Sequence, residues 1–167
     1  MIISSKFIDL YQNVLETMEK ESIMKSLMDY SRAEEWIIAE NSFNSELLGK
    51  VEAVMSLGNG YMGLRSATEE RYLKETRNLF VAGTFNKFDE SEVTELPNGA
   101  DLISIEFFIN GEYFTLEKGS YREYTRELNL RTGELHRHFI WTSPKGEGIS
   151  FDFYRIVSLK DLHVIAQ

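Results

Sequence analysis

Residues Ile103 to Trp141 read ISIEFFINGEYFTLEKGSYREYTRELNLRTGELHRHFIW, and this stretch decides the fold. Asn110-Gly111 sits between Ser104-Ile109 and Glu112-Leu116. A two-residue type I′ hairpin needs that arrangement, because both central residues must take positive φ. Thr132-Gly133 separates Glu127-Leu130 from Leu135-Trp141 in the same manner, with glycine supplying the left-handed position. The spacing therefore predicts an antiparallel meander between Ile103 and Trp141.

Working outward, short runs rich in aromatic and β-branched residues continue on both sides. They predict further strands over Glu35-Ala39, Lys50-Ser56, Leu79-Phe85, Leu102-Ile109, Glu112-Thr115, Tyr121-Asn129, Glu134-Trp141, Ile149-Val157 and His163-Ala166. Short strands at such spacing indicate a mainly β protein, a sandwich or barrel of antiparallel sheets. The N-terminal end differs. Phe7, Leu10, Tyr11, Val14, Leu15 and Met18 recur at helical spacing, and Ile23, Met24, Leu27 and Met28 carry a similar pattern toward Tyr30-Ser31. Residues 1–33 are accordingly expected to form an α-helical extension, packed on the same domain or docked on a partner, ahead of a β domain over 34–167.

The bulk numbers bound the function. The 167 residues fit one ordinary domain, and the 43% hydrophobic and 27% charged composition is that of a globular chain. A net charge of −9, with basic residues scattered among acidic ones, disfavours nucleic acid and anionic membranes as partners, while a neutral sugar is not penalised. The absence of cysteine excludes disulfides and thiolate metal sites. No basic, apolar leader pattern or membrane-length apolar run is present, so the expected location is cytoplasmic.

The densest motif is Ser56 to Arg65, SLGNGYMGLR. Gly58 to Gly63 spells G-x-G-x-x-G, but without a βαβ unit around it the pattern is not a dinucleotide fingerprint. It reads instead as a close-packed loop in which Asn59, Tyr61 and Arg65 are candidates for a cleft or an interface. The alternative is purely structural, with Asn59-Gly60 as a turn, Tyr61 packed and Arg65 paired with a carboxylate. His136 and His138 point to one face of a strand but lack a third metal ligand, and His163 stands alone, so no metal site is expected. The pairs Glu34-Glu35, Glu69-Glu70 and Asp89-Glu90 read as solvated faces rather than as a positioned catalytic acid.

The order of short signatures carries more than any one of them. Glu35-Trp-Ile-Ile-Ala-Glu-Asn-Ser-Phe, Glu52-Ala-Val-Met-Ser-Leu-Gly-Asn-Gly-Tyr-Met-Gly-Leu-Arg, Val81-Ala-Gly-Thr-Phe, Glu95-Leu-Pro-Asn, Tyr124-Thr-Arg-Glu-Leu-Asn-Leu-Arg-Thr-Gly-Glu-Leu and Arg155-Ile-Val-Ser follow one another in a pattern that resembles the N-terminal domain of glycoside hydrolase family 65. The resemblance spans roughly residues 34 to 167. It implies a galactose-mutarotase-like super-sandwich of two antiparallel sheets, followed in complete family members by an (α/α)6 barrel. That barrel holds the general acid and the phosphate site of inverting phosphorylases of maltose, kojibiose or trehalose. It is expected to be absent from this chain, which would leave the domain catalytically inert, with no cofactor. The implied role is to support the barrel of the same polypeptide and a homodimer acting on disaccharide and inorganic phosphate. The rival reading is a free-standing carbohydrate-binding or assembly module.

Overall fold

The computed structural model describes residues 28–161 and 163–166, and most of the helical extension expected over 1–33 lies outside them. Among the described residues the chain forms strands β1 (Met28–Asp29), β2 (Ile37–Glu40), β3 (Leu57–Gly58), β4 (Met62–Leu64), β5 (Leu79–Val81), β6 (Phe108–Ile109), β7 (Glu112–Tyr113), β8 (Ser120–Asn129), β9 (Glu134–Thr142), β10 (Gly148–Val157) and β11 (Val164–Ala166), with helix α1 over Leu48–Val54. A six-stranded antiparallel sheet runs β1-β2-β8-β9-β10-β11; a second sheet has the order β3-β4-β5. The mainly β, antiparallel architecture is as the sequence predicts.

The long strands exist because their side chains alternate. Leu135, Arg137, Phe139 and Trp141 are buried on one face of β9, while His136, His138 and Ile140 lie half-buried on the other. The buried face packs at one end on α1 and the small sheet through Val51, Met55, Leu57, Met62 and Leu64, joined by Leu128, Leu135 and Val157. At the other end Tyr124, Phe139, Trp141, Phe151 and Phe153 enclose Phe114 and Leu116. The Phe114 ring stacks on Phe151 at 4.5 Å and meets Trp141 edge-on at 5.1 Å, in the offset and T-shaped geometries that aromatic quadrupoles favour.

Both hairpins form. Asn110 and Gly111 take φ of 50° and 87° between the Ile109 and Glu112 pair, as a type I′ turn requires. The β8–β9 turn is longer than two residues. Asn129 pairs with Glu134, its side chain accepts from the backbone N–H groups of Arg131 and Thr132, and Gly133 alone is left-handed at φ 70°.

Several expectations about secondary structure need correction. Lys50-Ser56 is not a strand: Leu48, Val51, Glu52 and Met55 are buried at helical spacing, and α1 forms because that face meets the core. The loop expected at Gly58–Arg65 is mostly the β3–β4 hairpin, with Leu57 opposite Leu64 and Gly58 opposite Gly63. Of Leu102-Ile109 only Phe108–Ile109 is strand, because Asp101 accepts hydrogen bonds from the Ile103 and Ser104 amides and turns the chain. At the N-terminal end Met28–Asp29 is a strand paired with Ala39 and Glu40, so no helix continues to Tyr30.

Between the two apolar clusters, on the buried face, lies a belt of charge. Arg126 on β8, Arg137 on β9 and Arg155 on β10 are all buried, and Arg126 stands directly opposite Arg137. The irregular segment from Ser66 to Glu70 crosses this belt and is held by it. Arg126 donates to the carbonyl of Ser66, and Arg155 donates to the carbonyl of Ala67 at 2.9 Å and to the carboxylate of Glu69. Arg137 donates to both oxygens of Glu70 at 2.6 and 2.7 Å and to Glu69 at 3.0 Å. Tyr72 hydroxyl donates to Glu70 at 2.7 Å and Tyr124 hydroxyl to buried Glu40 at 3.0 Å. Glu69-Glu70 is thus a buried pair rather than the solvated face expected. Glu34-Glu35 and Asp89-Glu90 are exposed.

Desolvation works to raise the Glu70 carboxyl, but the charge and hydrogen bonds of Arg137 outweigh it and hold the group below its ordinary value. Glu40 and Glu52 go the other way, pushed up chiefly by burial. A depressed value means that Glu70 stabilises the fold fully above the ordinary carboxylate pKa and that this contribution is lost as pH falls through the depressed one. Glu40 and Glu52 carry the opposite sign, their contribution lying below the ordinary value and fading as pH rises. Glu70→Gln should therefore lower stability by about 3–5 kcal/mol at neutral pH, since it leaves Arg137 buried with a weakened partner. The loss should shrink on acidification, as measured by urea midpoints across the acid range; a loss independent of pH would assign Glu70 a packing role alone. Backbone geometry gives a second test. A Cβ on Gly119, at φ 81°, would stand 2.2 Å from the Thr142 carbonyl oxygen, whereas one on Gly111 meets only the distant end of Lys145. Gly111→Val should cost roughly 1–3 kcal/mol through strained φ alone, and Gly119→Ala should cost more. Equal melting shifts would show that the Gly119 contact relaxes freely.

Candidate functional site

Hairpin β3–β4 carries the three residues singled out by the sequence. Asn59 closes it: its side-chain oxygen accepts from the Tyr61 and Met62 amides at 2.9 and 2.7 Å, and its amide donates to the Ser158 carbonyl at 2.7 Å. Gly60 supplies the left-handed position at φ 82°. Arg65 turns back into the domain, donating to the Gly49 carbonyl at 2.6 Å and to buried Glu52 at 3.1 Å. Glu52 also accepts from the Thr76 amide at 2.9 Å. The hydrogen bonds of Asn59 and Arg65 thus go to their own domain, and Tyr61 is the one of the three whose ring is exposed, at 41%. The structure does not bring the three side chains into one cleft.

The backbone continues the feature that the side chains begin. Tyr61 accepts a hydrogen bond from the Ala82 amide at 2.7 Å, at the point where the chain leaves β5 for an excursion over residues 83–97. Asn86 and Glu95 exchange backbone hydrogen bonds at 2.9 and 2.8 Å, which makes the excursion a narrow antiparallel arm. The arm returns beside β5, where the Asn98 side chain accepts from the Leu79 amide and Gly99 N–H donates to the Leu79 carbonyl. Sequence reasoning placed a strand over its first residues and saw no surface there. The available signal was Phe85, Phe88, Val93 and Leu96 among turn-forming and acidic residues, a spacing that suits neither a buried strand nor a solvated loop.

The histidine pair has a partner on β10. His136 Nε2 and His138 Nδ1 lie 3.2 and 2.9 Å from the same oxygen of Asp152, and Tyr154 stacks on His136 with ring centroids 4.3 Å apart. Slight desolvation works to raise Asp152, but hydrogen bonds from the two imidazoles hold it below its ordinary value. Among the described residues no three ligating groups converge as a metal site would need. His163 is exposed.

The carboxylates closest in character to a catalytic acid are buried Glu40, Glu52, Glu69 and Glu70. Glu52, Glu69 and Glu70 hydrogen-bond arginines, while Glu40 accepts from Tyr124 and lies 3.7 Å from Arg126. A shallow cleft does reach Glu70, lined also by Arg71, Ile105, Glu106, Phe107 and Tyr113. Both carboxylate oxygens of Glu70 are already engaged by Arg137 and Tyr72, an arrangement that favours the charged form over an acid able to donate a proton. No described helix is long and apolar enough to cross a membrane.

The chain is similar in sequence and fold to several known proteins. The kojibiose phosphorylase of Halothermothrix orenii is 50% identical over 129 residues, covering 77% of this chain and 16% of that protein. The kojibiose phosphorylase of Escherichia coli is 37% identical over the same length, covering 77% and 17%. The α,α-trehalose phosphorylase of Thermoanaerobacter brockii is 31% identical, covering 80% and 19%. This chain therefore spans under a fifth of the length of these relatives. Among solved structures, a chain described as a kojibiose phosphorylase from the human microbiome superposes with a TM-score of 0.72 at 22% identity, covering 81% of this chain and 19% of that one, which supports the fold. The sequence pattern of the glycosyl hydrolase family 65 N-terminal domain matches residues 38–167, and the chain belongs to that family through this domain.

Proposed function

We propose that this chain is the N-terminal accessory domain of an inverting α-glucoside phosphorylase, which supports a catalytic barrel in the same polypeptide and the dimer it forms, and itself carries no catalytic acid. The observation that carries the reading is the pairing of its buried carboxylates: Glu69 and Glu70 are committed to Arg137 and Arg155, and Glu52 to Arg65. An inverting reaction needs a carboxylic acid free to give its proton to the leaving oxygen, with the attacking group held on the opposite face of the sugar. Glu69 and Glu70 are each engaged by arginines, and Glu40 and Glu52, though burial raises them, have no exposed surface from which to reach a sugar, which supports the reading. Disaccharide and inorganic phosphate are then substrates of the parent enzyme, no metal or cofactor is required, and a cytoplasmic location fits the cysteine-free composition.

Within this reading Tyr61 is the member of the hairpin trio that faces the partner domain, while Asn59 and Arg65 hold the hairpin that presents it. The 167-residue chain, incubated with kojibiose, maltose or trehalose and phosphate, should release no glucose 1-phosphate above blank. Turnover that survives repurification and is lost when one carboxylate of this chain is changed would overturn the assignment. Arg65→Ala should lower the melting temperature of the chain itself, by an amount corresponding to roughly 1–3 kcal/mol, because Glu52 loses its cationic partner in a buried site. An unchanged melt would mean that Arg65 acts outside its own domain.

A further inference from the structure

The arm over residues 83–97 has no structural account within this domain. Its largest apolar side chains face solvent: Phe85 is 69% exposed, Phe88 87%, Val93 84% and Leu96 47%. Single exposed hydrophobic residues are ordinary on protein surfaces, but four large ones within twelve residues mark a surface that something covers. The arm is nevertheless ordered by its own hydrogen bonds. Phe85 and Leu96 flank the Asn86–Glu95 bridge in the chain. At the tip Asp89 accepts from the Ser91 amide at 2.7 Å, and the Phe88 amide donates to Glu92 at 3.2 Å. An ordered projection presenting apolar groups is a preformed contact, one that loses little conformational freedom on docking.

The charge of the arm selects the occupant. The arm carries Asp89, Glu90, Glu92 and Glu95 against Lys87 alone, and Lys87 is spent on Glu90 at 2.8 Å. The chain as a whole has a net charge of −9, so a second copy of it offers an acidic field to an acidic arm. The relatives have more than four-fifths of their length outside the region matched by this chain. We propose that the 83–97 arm is the element through which this domain seats on the catalytic domain of the same polypeptide, its four apolar side chains entering a hydrophobic groove rimmed by basic residues. The proposal rests on the accessory-domain reading above and names the surface that performs it.

Hydrogen exchange compares the 167-residue chain with the polypeptide extended to the relatives' length. Amides of residues 84–96 should exchange at least tenfold more slowly in the long polypeptide, and Phe88→Ser with Val93→Ser should remove that protection while leaving the melt of the 167-residue chain unchanged. Protection confined to other segments, such as β11, would overturn the arm proposal and leave the accessory reading standing. No protection anywhere in residues 28–166 would overturn both. Arm protection that appears in the 167-residue chain alone and rises with its concentration would assign the arm to a second copy and overturn the choice of occupant.

Discussion

Three buried guanidinium groups in a row set the terms for the rest of this domain. Arg126, Arg137 and Arg155 sit on the core-facing side of the three long central strands, with Arg126 and Arg137 directly opposite each other. Like charges so placed repel, and each carries a heavy desolvation penalty. The fold meets this by laying the Ser66–Glu70 segment across the belt, so that two backbone carbonyls and two carboxylates point at the guanidinium groups. The same contacts solve a second problem. An irregular segment buried without ladder partners would leave its carbonyls unsatisfied, and here arginine supplies the donors. Arg77 extends the arrangement by donating to the carbonyls of Thr68 and Glu70 at 2.7 Å. The satisfaction is incomplete: the Nε atoms of all three belt arginines are buried with no acceptor among the described residues, so the belt holds geometry at some expense in stability.

That geometry governs where everything else goes. The segment fixed by the belt joins β4 to β5, so the hairpin that exposes Tyr61 and the arm that leaves β5 both hang from it. Arg65, one residue before the segment, ties it to α1 through Glu52 and Gly49. The belt also divides the core. Aliphatic side chains lie on the side of α1 and the small sheet, aromatic ones on the side of Phe114, and the ionic layer between them fixes the register in which the inserted segment lies.

The parts legible in the sequence are those specified locally. Alternation over Tyr121 to Trp141 and the Asn110-Gly111 turn each name their conformation without help from distant residues. The failures share a cause: tertiary contacts override a local preference. Val51 and Val54 favour a strand, yet α1 forms because Leu48, Val51, Glu52 and Met55 make one buried helical face. Glu69-Glu70 resembles any acidic surface pair until its partners, some 67 and 86 residues away, are brought to it by sheet topology. A readable trace of the belt did exist. In the parity that places Tyr124 and Leu128, Leu135 and Phe139, and Phe153 and Val157 inward, each central strand has an arginine at an inward position. Charge at a core-facing position on three successive strands calls for buried counter-charges, and Glu69-Glu70 and Glu40 are what the fold supplies.

The contrast between interior and exterior bears on what the domain is for. Inside, Glu69 and Glu70 are matched with arginines from different strands, while Glu40 and Glu52, whose carboxyls burial raises, have no exposed surface at which a sugar could meet them. Outside, the arm exposes more large apolar groups than a solvated β ribbon requires, while drawing its order from its own backbone and turn hydrogen bonds. A binding module for small sugars would be expected to concentrate its ordered polar and aromatic groups in one concave site. Here the exposed aromatic residues are dispersed, with Phe85 and Phe88 on the arm, Tyr61 at the hairpin tip, and Trp36, Phe108, Tyr113 and Tyr154 elsewhere on the surface. A paired interior with apolar projection outside is the combination a scaffold would need to hold a neighbouring domain, and under the accessory-domain proposal the position of the 83–97 arm would matter more than any side-chain chemistry of this domain.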